Sequence, residues 1–189
     1  MKARPLLVCL ILVACSQEGS AGSGRDASLA LAQAETRSTA SFSVASPAFA
    51  ANAAIPLRHS AYGDGVAPAL SWSGLPAGTR SLALAMEDPD ALSARPFVHW
   101  LAWNIVPAAG GLAEGRLPPG AAEGRNSRGS TGYFGPRPHG PKPHHYHFQL
   151  FALDGPLGLQ AGADRAQLLA AMKGHVLAKG DLVGLFAQP

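Results

Sequence analysis

From Ser41 onward, glycine and proline divide the chain into short apolar segments, and this punctuation limits the possible folds more than any other feature. The 189 residues include 22 glycines and 16 prolines, and only 14% of them are charged. Such a composition is typical of short strands joined by many turns, and it disfavours long solvated helices. The length suits one domain. We therefore predict a single all-β domain with a minor helix.

Three segments predict strands or a helix. Residues 81–86 alternate larger and smaller side chains with a period of two, as in a strand that packs one heavy face. Residues 99–106 are apolar on both faces, so we expect an interior strand covered on each side. A helix is predicted from Asp164, which can cap its start, to Lys173.

A further strand is predicted over residues 144–153, and its two faces differ. Period-two alternation places His144, Tyr146, Phe148 and Leu150 on one face and His145 with His147 on the other. The first face is the more apolar and should point into the core. Residues 115–143, which precede this strand, are rich in glycine and proline and have little strand pattern. A long irregular loop in a compact domain is usually functional.

The first residues have the pattern of an export signal. Lys2 and Arg4 form a positive end, and residues 6–14 are an apolar run too short to cross a bilayer as a helix. The run ends in Leu-Val-Ala-Cys, which resembles a bacterial lipobox, in which Cys15 is acylated after cleavage. The alternative is an ordinary signal peptide that happens to contain cysteine. We predict a signal peptide over 1–14 and lipidation at Cys15.

Residues 15–40 are predicted to be an acylated cysteine and a flexible tether, and residues 41–189 the folded domain. The tether has too few apolar residues to bury much surface, although a thin apolar stripe leaves a helix over 26–37 as an alternative. Without the signal peptide no cysteine except Cys15 remains, so no disulfide framework is expected. The net charge falls from +3 to about +1, which disfavours nucleic acid as a partner.

Several polar residues are candidates for a site. Asp88 and Asp90 flank Pro89 directly after the first strand, where they could bind a ligand or serve only the turn. His99 starts the doubly buried strand, where a hydrogen-bonded core residue is the alternative. His144 and Tyr146 lie at the end of an inward face and need partners. Gly135 and Pro136 belong to a loop whose backbone N–H groups could bind an anion.

Five ordered segments resemble the phosphatidylethanolamine-binding protein family, in its bacterial Raf-kinase-inhibitor-like branch. They are Leu70-Ser71-Trp72, Asp88-Pro89-Asp90-Ala91, His99-Trp100, Gly132-Tyr133-Phe134-Gly135-Pro136 and His144-His145-Tyr146. The resemblance covers residues 42–186 and implies an antiparallel Greek-key-like β-sandwich with a small anion pocket at one end. It implies Asp88, Asp90, His99, Gly135, Pro136, His144 and Tyr146 as pocket residues. Leu92 and His139 depart from the family pattern at the pocket rim.

Three functions are compatible with these residues. We favour a binding protein, not an enzyme, that captures phosphate-type or other small anions, a phospholipid head group included, without a cofactor or resident metal. A metal-assisted phosphoester hydrolase is an alternative, although metalloprotease, serine-hydrolase and phosphate-loop motifs are absent from the sequence. A third possibility is regulation of an unidentified partner protein. The expected location is the cell envelope, lipid-anchored at the periplasmic face of the outer membrane, a sorting suggested by Ser16.

The lipidation hypothesis predicts the behaviour of a Cys15→Ser variant. This variant should leave the membrane fraction while its domain stays folded, because covalent lipid is the expected anchor. Fractionation of cells followed by a salt wash measures the release. Retention of the variant on washed membranes would contradict the lipobox interpretation.

Overall fold

A computed structural model describes residues 28–189, so the predicted signal peptide and Cys15 lie outside the described residues. Within these residues, eight strands and one α-helix follow one another. In order they are β1 (Ser43–Ala45), β2 (Leu70–Ser73), β3 (Ser81–Asp88), β4 (Phe97–Ile105), β5 (Gly111–Leu112), β6 (Ala122–Glu123), β7 (His144–Leu153), α1 (Arg165–Met172) and β8 (Val176–Phe186).

The strands form two antiparallel sheets. The smaller sheet has the order β1-β2-β5, and the larger has the order β6-β4-β3-β7-β8. Because neighbours in the larger sheet are not all consecutive in sequence, the chain crosses between sheet positions as in a Greek key. The predicted mostly-β sandwich with one short helix is confirmed.

One hydrophobic core fills the space between the two sheets. Trp72 of the small sheet packs there with Trp100, Phe148 and Leu150 of the large sheet, and all four are buried. Tyr146 lies on the same face and is fully buried. The predicted inward face of β7 is therefore correct.

A second core covers the opposite face of the large sheet. Trp103 and Phe151 project there and pack with Leu168 and Met172 of α1. Trp100 and Trp103 belong to different cores because residues three apart on a strand point to opposite faces. Coverage on both sides explains why β4 is apolar on both faces, as predicted.

The helix begins and ends where the sequence predicts. The Asp164 carboxylate accepts a hydrogen bond from the backbone N–H of Gln167 at 3.0 Å, and the Gln167 side chain accepts one from the backbone N–H of Asp164 at 2.9 Å. This reciprocal pair is a capping box. Within residues 28–189 no helix is long and apolar enough to cross a membrane.

The N-terminal segment differs from the prediction of a tether through residue 40. It forms two short 3-10 helices, Ala30–Ala32 and Ala34–Thr36, and Leu29 is 1% exposed. The folded part therefore begins before residue 41, and the alternative of an α-helix over 26–37 is also wrong for its described portion. Composition missed this packing because backbone N–H groups, and not a large apolar face, attach the segment to the sheet.

The acceptors for those N–H groups are Glu87 and Gln149, which project from β3 and β7 toward α1. The backbone N–H of Ala30 donates to Glu87 Oε2 at 2.7 Å, and that of Leu31 donates to Gln149 Oε1 at 2.7 Å. Gln149 Nε2 donates to Glu87 Oε2 at 2.9 Å, and Arg165 Nε donates to Glu87 Oε1. The buried carboxylate is thus fully paired and joins α1, the sheet and the N-terminal segment.

We expect Arg165→Leu to destabilise the domain by about 3 kcal/mol, because it leaves the buried Glu87 carboxylate without its cation. Urea denaturation of the variant measures the loss. A double variant, Glu87→Gln with Arg165→Leu, should recover part of the stability, since it removes the unpaired charge. A change below about 0.5 kcal/mol for Arg165→Leu, as at ordinary surface sites, would contradict this role.

Candidate functional site

A pocket of about 460 Å³ opens at one edge of the large sheet. At this edge β3 ends, and its antiparallel neighbours β4 and β7 begin. Residues far apart in sequence therefore meet there. The lining residues are Asp88, Asp90, Ala91, Leu92, Ser93, Phe97, His99, Arg128, Phe134, Arg137, Pro138, His139, Lys142 and His144. The volume is in the range of small-molecule sites.

Four of the seven predicted site residues line this pocket: Asp88, Asp90, His99 and His144. The other three, Gly135, Pro136 and Tyr146, are buried behind it. Asp88 is the last residue of β3, so the strand runs two residues beyond the predicted end at Met86. The sheet itself, and not only a loop, therefore positions this carboxylate.

Gly135 and Pro136 form part of the pocket wall and pack against the turn at residues 59–61. A Cβ atom on Gly135 would lie 2.7 Å from the carbonyl oxygen of His59, so only glycine fits there. The Pro136 carbonyl accepts a hydrogen bond from the backbone N–H of Ala61 at 3.0 Å. Tyr62 Oη donates to the Pro138 carbonyl at 2.7 Å. The wall is thus attached from behind, a contact between distant segments that the sequence pattern did not predict.

Tyr146 lies beneath the pocket floor. Its ring meets the His99 ring edge-on, with centroids 5.1 Å apart. Burial, together with the Asp88 charge, raises the pKa of the tyrosine, and the Arg137 backbone opposes this rise. The hydroxyl is buried without a well-formed hydrogen bond among residues 28–189. It is therefore a polar group close to the site that still lacks a good partner.

Asp88 orients His144. Asp88 Oδ2 accepts a hydrogen bond from His144 Nδ1 at 2.8 Å, and Asp88 Oδ1 accepts one from the backbone N–H of Asp90 at 2.8 Å. Burial raises the pKa of Asp88, and the bond from His144 counteracts it. Because the Asp88 carboxylate accepts the hydrogen bond from Nδ1–H, Nε2 is the nitrogen of His144 left for a ligand.

Asp90 makes the corresponding contact with His145. Asp90 Oδ2 accepts hydrogen bonds from the His145 backbone N–H at 2.9 Å and from His145 Nδ1 at 2.7 Å. Burial alone would raise the pKa of Asp90, but these two bonds make the net shift downward. The side chain of His145 points outward and is exposed, as the alternation predicts, yet it positions a pocket carboxylate. Sequence reasoning missed this second pair.

His99 is a buried, neutral histidine. Its Nδ1 donates to the Phe134 carbonyl at 2.7 Å, and its ring stacks on Phe134 with centroids 5.7 Å apart. Burial lowers its pKa from 6.5 to about 4, against the raising effect of the Phe134 and Gly135 carbonyls. At neutral pH Nε2 therefore carries a lone pair and is able to accept a hydrogen bond. Neutral His99 therefore pairs at Nε2 with a ligand donor and not with an unprotonated ligand oxygen.

Three cations at the pocket rim were not among the predicted residues. Arg128, Arg137 and Lys142 are exposed, and within residues 28–189 none has a carboxylate at ion-pair distance. The guanidinium of Arg128 lies 4.9 Å from the Phe134 ring centroid. All three belong to the long loop before β7. Their positive charge and their closeness to His144 in the sequence were the signal that could have identified them.

No three His, Cys, Asp or Glu side chains converge on a common point within the described part of the chain. The pocket contains carboxylates and histidines, but each carboxylate is hydrogen-bonded to one histidine. The chemistry that the described pocket offers is hydrogen bonding and charge pairing at a partly buried site.

A family model for phosphatidylethanolamine-binding protein matches residues 45–187, from the last residue of β1 to just beyond β8. The chain belongs to the phosphatidylethanolamine-binding protein family. It is 44% identical to a UPF0098 protein of Methanothermobacter thermautotrophicus over 137 residues, which are 70% of this chain and 89% of that protein. This assignment supports the prediction of a binding protein.

Further relatives agree with the family assignment. LppC of Mycobacterium tuberculosis, named as a candidate lipoprotein, is 43% identical over 76% of this chain and 71% of its own length. A solved homologue from Chlamydia trachomatis has 36% identity and a TM-score of 0.74, covering 80% of this chain and all of its own. Escherichia coli YbcL has 29% identity and a TM-score of 0.74, covering 79% and 100%.

The two departures from the phosphatidylethanolamine-binding protein family pattern both lie at the pocket mouth. Leu92 lines the mouth and is 98% exposed, and His139 lines the pocket from the loop before β7. Leucine at position 92 adds apolar surface to the rim that nothing in residues 28–189 covers.

The lowered pKa of His99 predicts a loss of stability in mild acid. Above pH 6.5 the ring is neutral in both states; below it the unfolded chain takes up a proton that the folded chain refuses until about pH 4. Folding should therefore lose about 2 kcal/mol between pH 7 and pH 5 through this residue. The His99→Phe variant retains an aromatic ring at this position. Its free energy of unfolding, measured by urea denaturation at the two pH values, should fall by about 2 kcal/mol less than that of the unaltered protein. An equal loss in both proteins would contradict a neutral His99.

Proposed function

We propose that the pocket binds phosphate-type anions: inorganic phosphate, phosphate esters or the head group of a phospholipid. The observation that carries this proposal is the set of rim cations, Arg128, Arg137 and Lys142, which surround a partly buried floor and have no ion-pair partner among residues 28–189. Two guanidinium groups and an ammonium match phosphate oxygens in charge and in hydrogen-bond geometry.

The floor supplies two histidine nitrogens of different character. His144 is oriented by Asp88, so its Nε2 is available to the ligand and donates whenever the ring is doubly protonated. His99 is neutral and accepts at Nε2, since Nδ1 is bonded to Phe134. Inorganic phosphate or a phosphate monoester that retains one proton satisfies both nitrogens, because it has oxygens that accept and a hydroxyl that donates. A phosphodiester head group has only acceptor oxygens on its phosphate, which pair with His144 and the rim cations.

The two carboxylates in the pocket do not prevent anion binding. Both oxygens of Asp88 already accept hydrogen bonds, one from His144 and one from a backbone N–H. Asp90 Oδ2 accepts two bonds from His145. These internal contacts offset much of the negative charge, so the rim cations determine which ligands are attracted.

We also propose that the protein is held in the cell envelope by lipid on Cys15. The Leu-Val-Ala-Cys motif supports this location, and so does the similarity to LppC, whose name marks it as a candidate lipoprotein. An anchored protein would keep the pocket near a membrane and thereby near phospholipid head groups.

His144→Ala should weaken phosphate binding by roughly 10- to 150-fold, the equivalent of losing about 1.5–3 kcal/mol from a charge-assisted hydrogen bond. Calorimetric titration with inorganic phosphate and with glycerophosphoethanolamine measures the loss. Tighter binding of glycerophosphoethanolamine would identify a lipid head group as the ligand, and tighter binding of inorganic phosphate would identify the free anion.

A matched control exists in the exposed pair of His175 and Asp154. His175 Nδ1 lies 2.8 Å from Asp154 Oδ1, as His144 Nδ1 does from Asp88 Oδ2, but this pair is outside the pocket. His175→Ala should leave phosphate affinity unchanged. His145 is a poorer control, although it faces outward, because it positions Asp90. Equal losses for the His144 and His175 variants, with both folded by circular dichroism, would contradict the proposal.

A further inference from the structure

The loop of residues 91–96 forms one lip of the pocket and has an unusual surface. At its tip Leu92 is 98% exposed, against 51% for Leu57 and 48% for Val106, the other exposed large apolar residues described. Residues 92–95 are exposed, and Arg95 follows Leu92 in the same loop. A leucine exposed at the tip of a loop has an apolar side chain that can insert into the acyl region of a bilayer.

Basic residues line the depressions on both sides of this leucine. Arg128, Arg137 and Lys142 line the same pocket as Leu92, and Arg95 lines the depression on the other side of the loop. None of the four has an ion-pair partner among residues 28–189. An apolar tip among basic side chains is complementary to a surface of anionic head groups above acyl chains.

The path of the chain points to the same side of the molecule. Ser28, the first described residue, lines the depression behind the loop together with Leu92 and Arg95. Only twelve residues separate Ser28 from Cys15. Fully extended, they reach at most about 45 Å. A lipid on Cys15 would therefore hold Ser28, which lies beside this loop, within about 45 Å of the bilayer.

We infer that the 91–96 loop is a membrane-contacting element, in which Leu92 inserts into the bilayer while Arg95, Arg128, Arg137 and Lys142 face anionic head groups. The pocket then opens onto the lipid surface itself. This inference goes beyond the proposed function, because a pocket can bind free phosphate without its rim touching lipid.

The test uses the full chain, purified from membranes and reconstituted into vesicles of phosphatidylcholine and phosphatidylglycerol. Leu92→Cys carries an environment-sensitive thiol fluorophore, and some lipids carry nitroxide on their acyl chains. Val106→Cys is the matched control, since Val106 is also an exposed apolar residue but follows the far end of β4. We expect a blue shift and nitroxide quenching at position 92 and neither at position 106.

A second reporter avoids replacing the leucine. With the fluorophore on Ser93→Cys, quenching should fall when Leu92→Asp is added, and it should also fall in vesicles of phosphatidylcholine alone. Equal quenching at positions 92 and 106, or none at either, would overturn the inference. So would protection of position 92 from aqueous iodide in native envelopes but not in pure vesicles, because that result indicates a protein partner.

These outcomes are separate from those of the proposed function. Phosphate binding that depends on His144 without quenching at position 92 would leave the anion pocket intact and overturn the membrane-contacting loop. Quenching at position 92 without any phosphate binding would support the membrane-contacting loop and contradict the anion pocket.

Discussion

The large sheet is covered on both faces, so a polar group on its central strands that finds no partner inside the protein costs free energy. Leaving such a group unpaired costs on the order of 1–3 kcal/mol. Glu87 and Gln149, on neighbouring strands, find partners in Arg165 and in the backbone of the N-terminal segment. The packing of residues 29–36 against the sheet follows from the need to pair these buried groups.

The same coverage places the site at the ends of the strands. The side chains of both cores are almost fully buried, whereas the edge where β3 ends and β4 and β7 begin opens into the pocket. Side chains there are buried enough to have shifted pKa values, as for His99 and Asp88, and still reach a pocket. Partial desolvation of this kind strengthens each hydrogen bond to a ligand.

Two parts of the pocket have different roles. The floor is internally paired, with Asp88 bonded to His144 and Asp90 to His145, so the fold determines its geometry. The rim cations are unpaired among residues 28–189 and belong to a loop held from behind by contacts such as that of Pro136 with Ala61. A rigid floor below an exposed basic rim can attract an anion and then orient it.

The sequence by itself determined the strand pattern, the capped helix and the inward direction of His144 and Tyr146, because period-two alternation and capping are local properties of the backbone. Its ordered motifs also indicated the family. Only the tertiary structure decided that Gly135 is a packing residue and that Arg128, Arg137 and Lys142 share one rim. It also decided that residues 29–36 belong to the fold. These features depend on which distant segments meet, and burial and pairing across such contacts have no local sequence period.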